Sequence, residues 1–176
     1  MRPQRSLKAR ALQWLAQREQ SRVELRRKLL PHAVAEAEAA VAAGAAAAEV
    51  PPAARVEAVL DWLEAHDYLS HERFVESRVH ARSARFGNLR IRQELKQHQV
   101  ALTADAAQAL RDSERQRAGA VRARKFGEAA PSTPAERAKQ VRFLAGRGFS
   151  PEAIGRALRE AGQPLDTAED IDSPPG

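Results

Sequence analysis

The sequence predicts an all-α protein of elongated shape, and three observations carry that reading. Its dominant residues, Ala, Arg, Leu, Glu and Gln, are strong helix formers. No run of β-branched residues alternates with polar ones in the way a half-buried strand requires. Hydrophobic residues make up 43% of the chain but aromatics only 5%, so the core is thin, and a thin core leaves much surface exposed.

The elements follow from caps and apolar spacing. A first amphipathic helix is expected from Leu7 to Gln20. Ser21 and Glu24 have capping-box spacing and open a second helix, whose apolar face is Leu25, Leu29 and Leu30. Residues 33–54 are low in complexity and rich in alanine. Gly44 and Pro51–Pro52 interrupt them, so they read as a partly helical spacer. Val56, Val59, Leu60 and Leu63 mark a helix over 53–65, and Ser70 caps the next, with Phe74, Val75, Val79 and His80 inward. Phe86–Gly87–Asn88 divides that helix from one over 89–97. Thr103 and Asp105 open a long helix that Phe126–Gly127 stops. Helices over 135–147 and 151–161 close the chain, and residues 163–176, acidic and Pro-containing, are expected to be disordered.

Three segments resemble one another: Leu12-Gln-Trp14-Leu15, Leu60-Asp-Trp62-Leu63 and Val141-Arg-Phe143-Leu144. Each is followed by a serine (Ser21, Ser70, Ser150) and, four residues later, by an apolar anchor (Leu25, Phe74, Ile154). A helix, a turn and a capped helix therefore recur as a unit too small to bury its own apolar face, and such units must stack on one another. The expected organisation is a first module beginning at 1–32, a spacer at 33–54, central modules over 55–127, a closing module over 128–162 and a tail over 163–176.

Composition excludes several functions. With no cysteine there is no disulfide, thiolate nucleophile or cysteine metal site, and a cytoplasmic location is expected. The N-terminus lacks signal-peptide character and no apolar run approaches membrane-spanning length, so no membrane partner is expected. Gly-rich phosphate loops, nucleophile elbows and H-E-x-x-H spacing are missing, and neither catalysis nor a cofactor or metal is expected. Charge is uneven: residues 1–31 carry nine Lys/Arg against two Glu, and residues 65–127 carry thirteen against seven acids. Residues 32–64 carry one Arg against six acids, and residues 128–176 six basic against eight acidic residues. Two basic blocks point to a polyanion or an acidic protein surface as partner.

Ser21-Arg-Val-Glu-Leu-Arg-Arg-Lys-Leu29, Tyr68-Leu-Ser-His-Glu-Arg-Phe-Val75 and Phe86-Gly-Asn-Leu-Arg-Ile-Arg-Gln-Glu-Leu95, with Lys125-Phe-Gly127 and Phe143-Leu-Ala-Gly-Arg-Gly-Phe149, resemble the RecX family in their order and spacing. That family comprises bacterial regulators of the recombinase RecA. The resemblance implies tandem three-helix modules, a monomer lying in the groove of a RecA–single-stranded-DNA filament, and inhibition of filament growth, ATP hydrolysis, strand exchange and coprotease action. DNA repair, homologous recombination and the SOS response are the implied setting. The chain departs from the family pattern at Asp67 and Gln99, where glycine usually serves a left-handed helix end, and in its longer Ala-rich insert.

For a groove-binding protein the candidate contacts are basic. Arg22, Arg26, Arg27 and Lys28 form a first cluster, and Arg78, Arg82, Arg85, Arg90, Arg92 and Lys96 a second. Arg122, Arg124 and Lys125 form a third. Guanidinium forks suit phosphate and carboxylate alike, so these clusters could meet DNA or RecA. Tyr68 and Phe86 could stack on bases but are expected to lock turns, and Trp14, Trp62 and Phe143 belong to the core. The expectation is a non-enzymatic filament regulator. Its rivals are a stand-alone DNA-binding module of helix-turn-helix type and a helical scaffold for an acidic protein.

Overall fold

The computed structural model describes residues 5–46 and 49–162, so the tail over 163–176 lies outside the described residues. Among the described residues there are eight helices and no strand. They are α1 (Leu7–Leu15), α2 (Arg22–Ala42), α3 (Pro52–Ala65), α4 (His71–Ser83), α5 (Asn88–Gln97), α6 (Ala104–Phe126), α7 (Pro134–Gly146) and α8 (Pro151–Arg159).

Side-chain oxygens start most of these helices. Ser21 accepts from the Glu24 amide, Ser70 from Arg73, Thr103 from Ala106, Thr133 from Glu136 and Ser150 from Ala153, each satisfying an otherwise orphaned donor. At Ser21 only half of the capping box forms, because the Glu24 carboxylate is taken by Arg18. Asp67 and Gln99 end α3 and α5 in the left-handed region, with φ of 57° and 56°, the conformation that glycine adopts most readily.

Burial divides into three cores rather than one. Leu7, Leu25, Leu29, Val56, Leu60 and Leu63 join α1, α2 and α3. Phe74, Val75, Ile91, Leu95 and Leu110 join α4, α5 and the first half of α6. Ala118, Val121, Leu144, Phe149, Ile154 and Leu158 join the second half of α6 to α7 and α8. Each fully buried aliphatic side chain contributes about 1.5–3 kcal/mol, so each three-helix unit has its own modest core. Because α6 runs unbroken through two of them, the second and third units share a rigid element.

Three sequence expectations change. Helix α1 stops at Leu15 instead of Gln20, because residues 16–20 must reverse the chain for Ser21 to cap α2; Gln20 is buried in that turn. The Ala-rich stretch is not all spacer. Helix α2 runs through Pro31 to Ala42, Ala33 is fully buried in the first core, and Glu36 pairs with Arg55 at 2.7 Å. The boundaries at 32 and 55 also move, since α3 packs on α1 and α2 and completes the first unit. As a result the second copy of the sequence repeat, α3–α4, straddles two cores: Leu60 and Leu63 face one, Phe74 the other. The repeat marks a local helix–turn–helix signal, not the module frame.

Candidate functional site: an arginine groove between α4 and α5

On α4, the inward positions Phe74 and Val75 leave Arg78 and Arg82 one and two turns further along an edge of the same helix. On α5, inward Ile91 and Leu95 leave Arg90, Gln93, Glu94 and Gln97 on the flank that meets α4. Together with His98 these residues line a groove of about 240 Å³ whose walls are mostly polar. Arg82 Nε lies 2.8 Å from one Glu94 oxygen and Arg90 Nε 3.6 Å from the other. Glu94 is largely covered, with 16% of its side chain exposed, so it sits at the base and holds two guanidinium groups apart. Arg78 has no carboxylate partner among the described residues and lies 5.2 Å over the Phe74 ring. Phe86 is ringed by Arg82, Arg90 and Arg147 at 5.7, 5.9 and 6.0 Å, so its role is to seat guanidiniums rather than to stack freely.

The other predicted residues divide by what covers them. Arg22 is drawn into the first unit, reaching Glu57 at 2.7 Å and Asp61 and Glu64 at 2.6 Å each; Arg26 pairs with Glu57 as well. Hydrogen bonds from Arg26, then Arg22, hold the Glu57 carboxyl at about 2, well below the usual range. These two arginines tie α2 to α3, their charges compensated by the α3 carboxylates. Arg122 is overturned as a contact: it is 2% exposed, and its guanidinium serves Gln140 and the carbonyls of Gly127 and Ala129. The loop after α6 folds back over it, which no helical spacing foretells. Lys28 reaches Gln20 at 2.8 Å. Arg27, Arg85, Arg92, Lys96, Arg124 and Lys125 are exposed, and the structure does not gather them into the groove. Tyr68 is 48% exposed and stacks on Trp62 at 5.5 Å.

Sequence reasoning missed the lock beside the groove. The Gly87 amide donates to the Arg147 carbonyl at 2.9 Å, and the Leu89 amide to the Gly148 carbonyl at 3.0 Å, so the α4–α5 turn lies edge to edge with the α7–α8 turn. Below it, buried Glu114 accepts from the Asn88 amide at 2.8 Å and the Ser150 amide at 3.3 Å. Arg117 donates to the carbonyls of Phe86 and Leu110 and to Asn88 Oδ1. Burial lowers the Arg117 pKa while Glu114 opposes the shift, the mark of a charge used structurally. Of the groove residues, Arg78, Arg82 and Arg90 were legible as candidates in the sequence.

Residues 70–110 match the family model for the second three-helix domain of RecX, and residues 112–158 that for the third. Proteins named "Regulatory protein RecX" align over nearly the whole chain. That of Ralstonia nicotianae is 47% identical over 94% of both chains. Those of Leptothrix cholodnii (46%, covering 91% of this chain and 92% of the relative) and Neisseria gonorrhoeae (36%, covering 92% and 94%) are also similar. The chain belongs to the RecX family.

In RecX terms the arginine groove lies wholly within the second domain, between its first two helices. The boundary between the second and third RecX domains falls inside α6, which explains why the two cores share a helix. The glycine-edged lock joins those same two domains. No helix among the described residues is long and apolar enough to cross a membrane.

Proposed function

We propose that this RecX-family chain is a non-enzymatic regulator that binds the RecA–single-stranded-DNA filament and restrains its growth, with ATP hydrolysis, strand exchange and coprotease action falling as a consequence. The observation that carries the reading is the α4–α5 groove, where Arg78, Arg82 and Arg90 converge with two glutamine side chains. A mostly polar groove suits a phosphodiester backbone. A protein partner needs an apolar anchor to exclude water, and this groove supplies little of that. Glutamine amides and arginine forks can grip phosphates without reading bases, which fits a partner of any sequence. The chain would act as a monomer, its linked three-helix units lying along the filament groove and excluding the incoming duplex.

The experiment is RecA ATPase on single-stranded DNA with the protein titrated in, beside fluorescence anisotropy on the bare DNA. The expected result is a fall in ATPase at protein concentrations too low to coat the DNA, lost in the triple reversal Arg78→Glu, Arg82→Glu, Arg90→Glu with helicity retained. Tight binding to bare DNA without any effect on ATPase would replace this reading with the stand-alone DNA-binding one.

A further inference from the structure

The opposite flank of α5 carries a second groove of different character. Gln99, in its left-handed conformation, turns the chain so that residues 100–102 pass back along the end of α5; the Val100 amide bonds the Leu95 carbonyl at 3.1 Å. His71 Nε2 meets the Ala101 carbonyl at 3.3 Å and fixes this return from the side of α4. Between the return and the first turn of α6 lies an open groove of about 340 Å³ with Leu95, Val100, Leu102 and Ala107 on its walls. Arg92 and Arg111 border it, both exposed. No carboxylate lines it. Arg111 bonds the neutral amide of Gln108, which leaves its charge uncompensated, and Arg92 makes no ion pair among the described residues.

We infer that this groove docks a protein segment with an apolar side chain flanked by acidic ones, supplied by the protein component of the filament. The apolar wall takes the hydrophobic residue, and the two guanidinium forks take the carboxylates. A nucleic-acid backbone has no group to place against Leu95, Val100 and Leu102, whereas it matches the polar groove on the other flank. Helix α5 then reads the filament from both sides: Arg90, Gln93 and Gln97 toward the strand, Arg92 toward protein, beside the half-buried Val100 and Leu102. This rests on the filament reading above, and its test separates the two.

The discriminating variant is Ala107→Gln. It lengthens a half-buried side chain on the groove wall with no change of charge, in a residue that favours helix. Binding would be measured to RecA assembled on an oligo-dT strand and, separately, to bare oligo-dT. The expected result is filament affinity weakened about ten-fold or more with bare-strand affinity unchanged; Arg92→Gln with Arg111→Gln should weaken filament binding about a hundred-fold, since each lost fork contact is worth about a factor of ten. Unchanged filament binding by both variants overturns the docking site while leaving the arginine groove standing. Equal loss on filament and bare strand also overturns it, by making the groove part of the nucleic-acid surface. Self-association of the wild type that Ala107→Gln abolishes would assign the groove to a second copy instead. A wild type that ignores the filament overturns the underlying reading itself.

Discussion

The amide of Gly87 and the carbonyl of Arg147, 2.9 Å apart, join two turns that are sixty residues distant in sequence. The approach is close enough that a Cβ on Gly87 would stand 2.2 Å from the Phe149 amide nitrogen, and one on Gly148 2.6 Å from that of Arg90. Gly148 also has φ of 81°. Both obstacles are backbone, which cannot swing aside. Gly87→Ala and Gly148→Ala should each destabilise by about 3 kcal/mol or more, as overpacking against fixed backbone does. Urea unfolding would show a lower midpoint; a midpoint within error of wild type would refute the lock.

Asp67 and Gln99 hold a left-handed backbone without being glycine. Replacing either by glycine removes steric strain that outweighs glycine's extra chain entropy. Asp67→Gly and Gln99→Gly should therefore stabilise by about 0.5–1 kcal/mol each, Gln99→Gly the more, since Gln adopts this conformation less readily than Asp. Thermal midpoints rising by a few degrees would bear this out.

Glu94 compensates Arg82 and Arg90 inside the groove. Glu94→Gln keeps the size and hydrogen-bonding capacity but leaves both guanidiniums uncompensated. Affinity for oligo-dT should rise about three- to ten-fold at low salt and converge on wild type at high salt, where the charge is screened. Weaker binding would mean that Glu94 serves to orient the arginines.

His98 joins the first unit to the second through Ser21 Oγ, 3.0 Å from its Nδ1. Burial lowers its pKa, with Arg78 next in effect; Glu24 opposes, while Arg18 and Arg27 reinforce the shift, and the Phe74 ring packs at 5.0 Å. A histidine held below its ordinary value favours the folded state fully above about 6.5 and loses that advantage as pH falls, because the unfolded chain takes up the proton first. Stability should thus decline from pH 7 to 5 by more in wild type than in His98→Gln. Parallel pH profiles would exclude the residue as a source of the decline.

Much of the architecture was legible in the sequence because it is local. Serine and threonine caps act on amides two or three residues away, and each predicted from Ser21, Ser70, Thr103 and Ser150 forms. The groove was half legible: Arg78, Arg82 and Arg90 were among the named candidates, but Glu94, Gln93, Gln97 and His98 join them only when α5 lies beside α4.

By itself the sequence determined the helical class, most helix starts and the basic character of α4 and α5, since each depends on neighbours along the chain. The tertiary structure decided which charges are available. Arg78 and Arg122 both stand in basic helical stretches, yet one lines an open groove and the other is sealed under the loop over 127–129. Helical periodicity says which residues share a face; it cannot say what comes to lie against that face, because that depends on segments distant in sequence folding back.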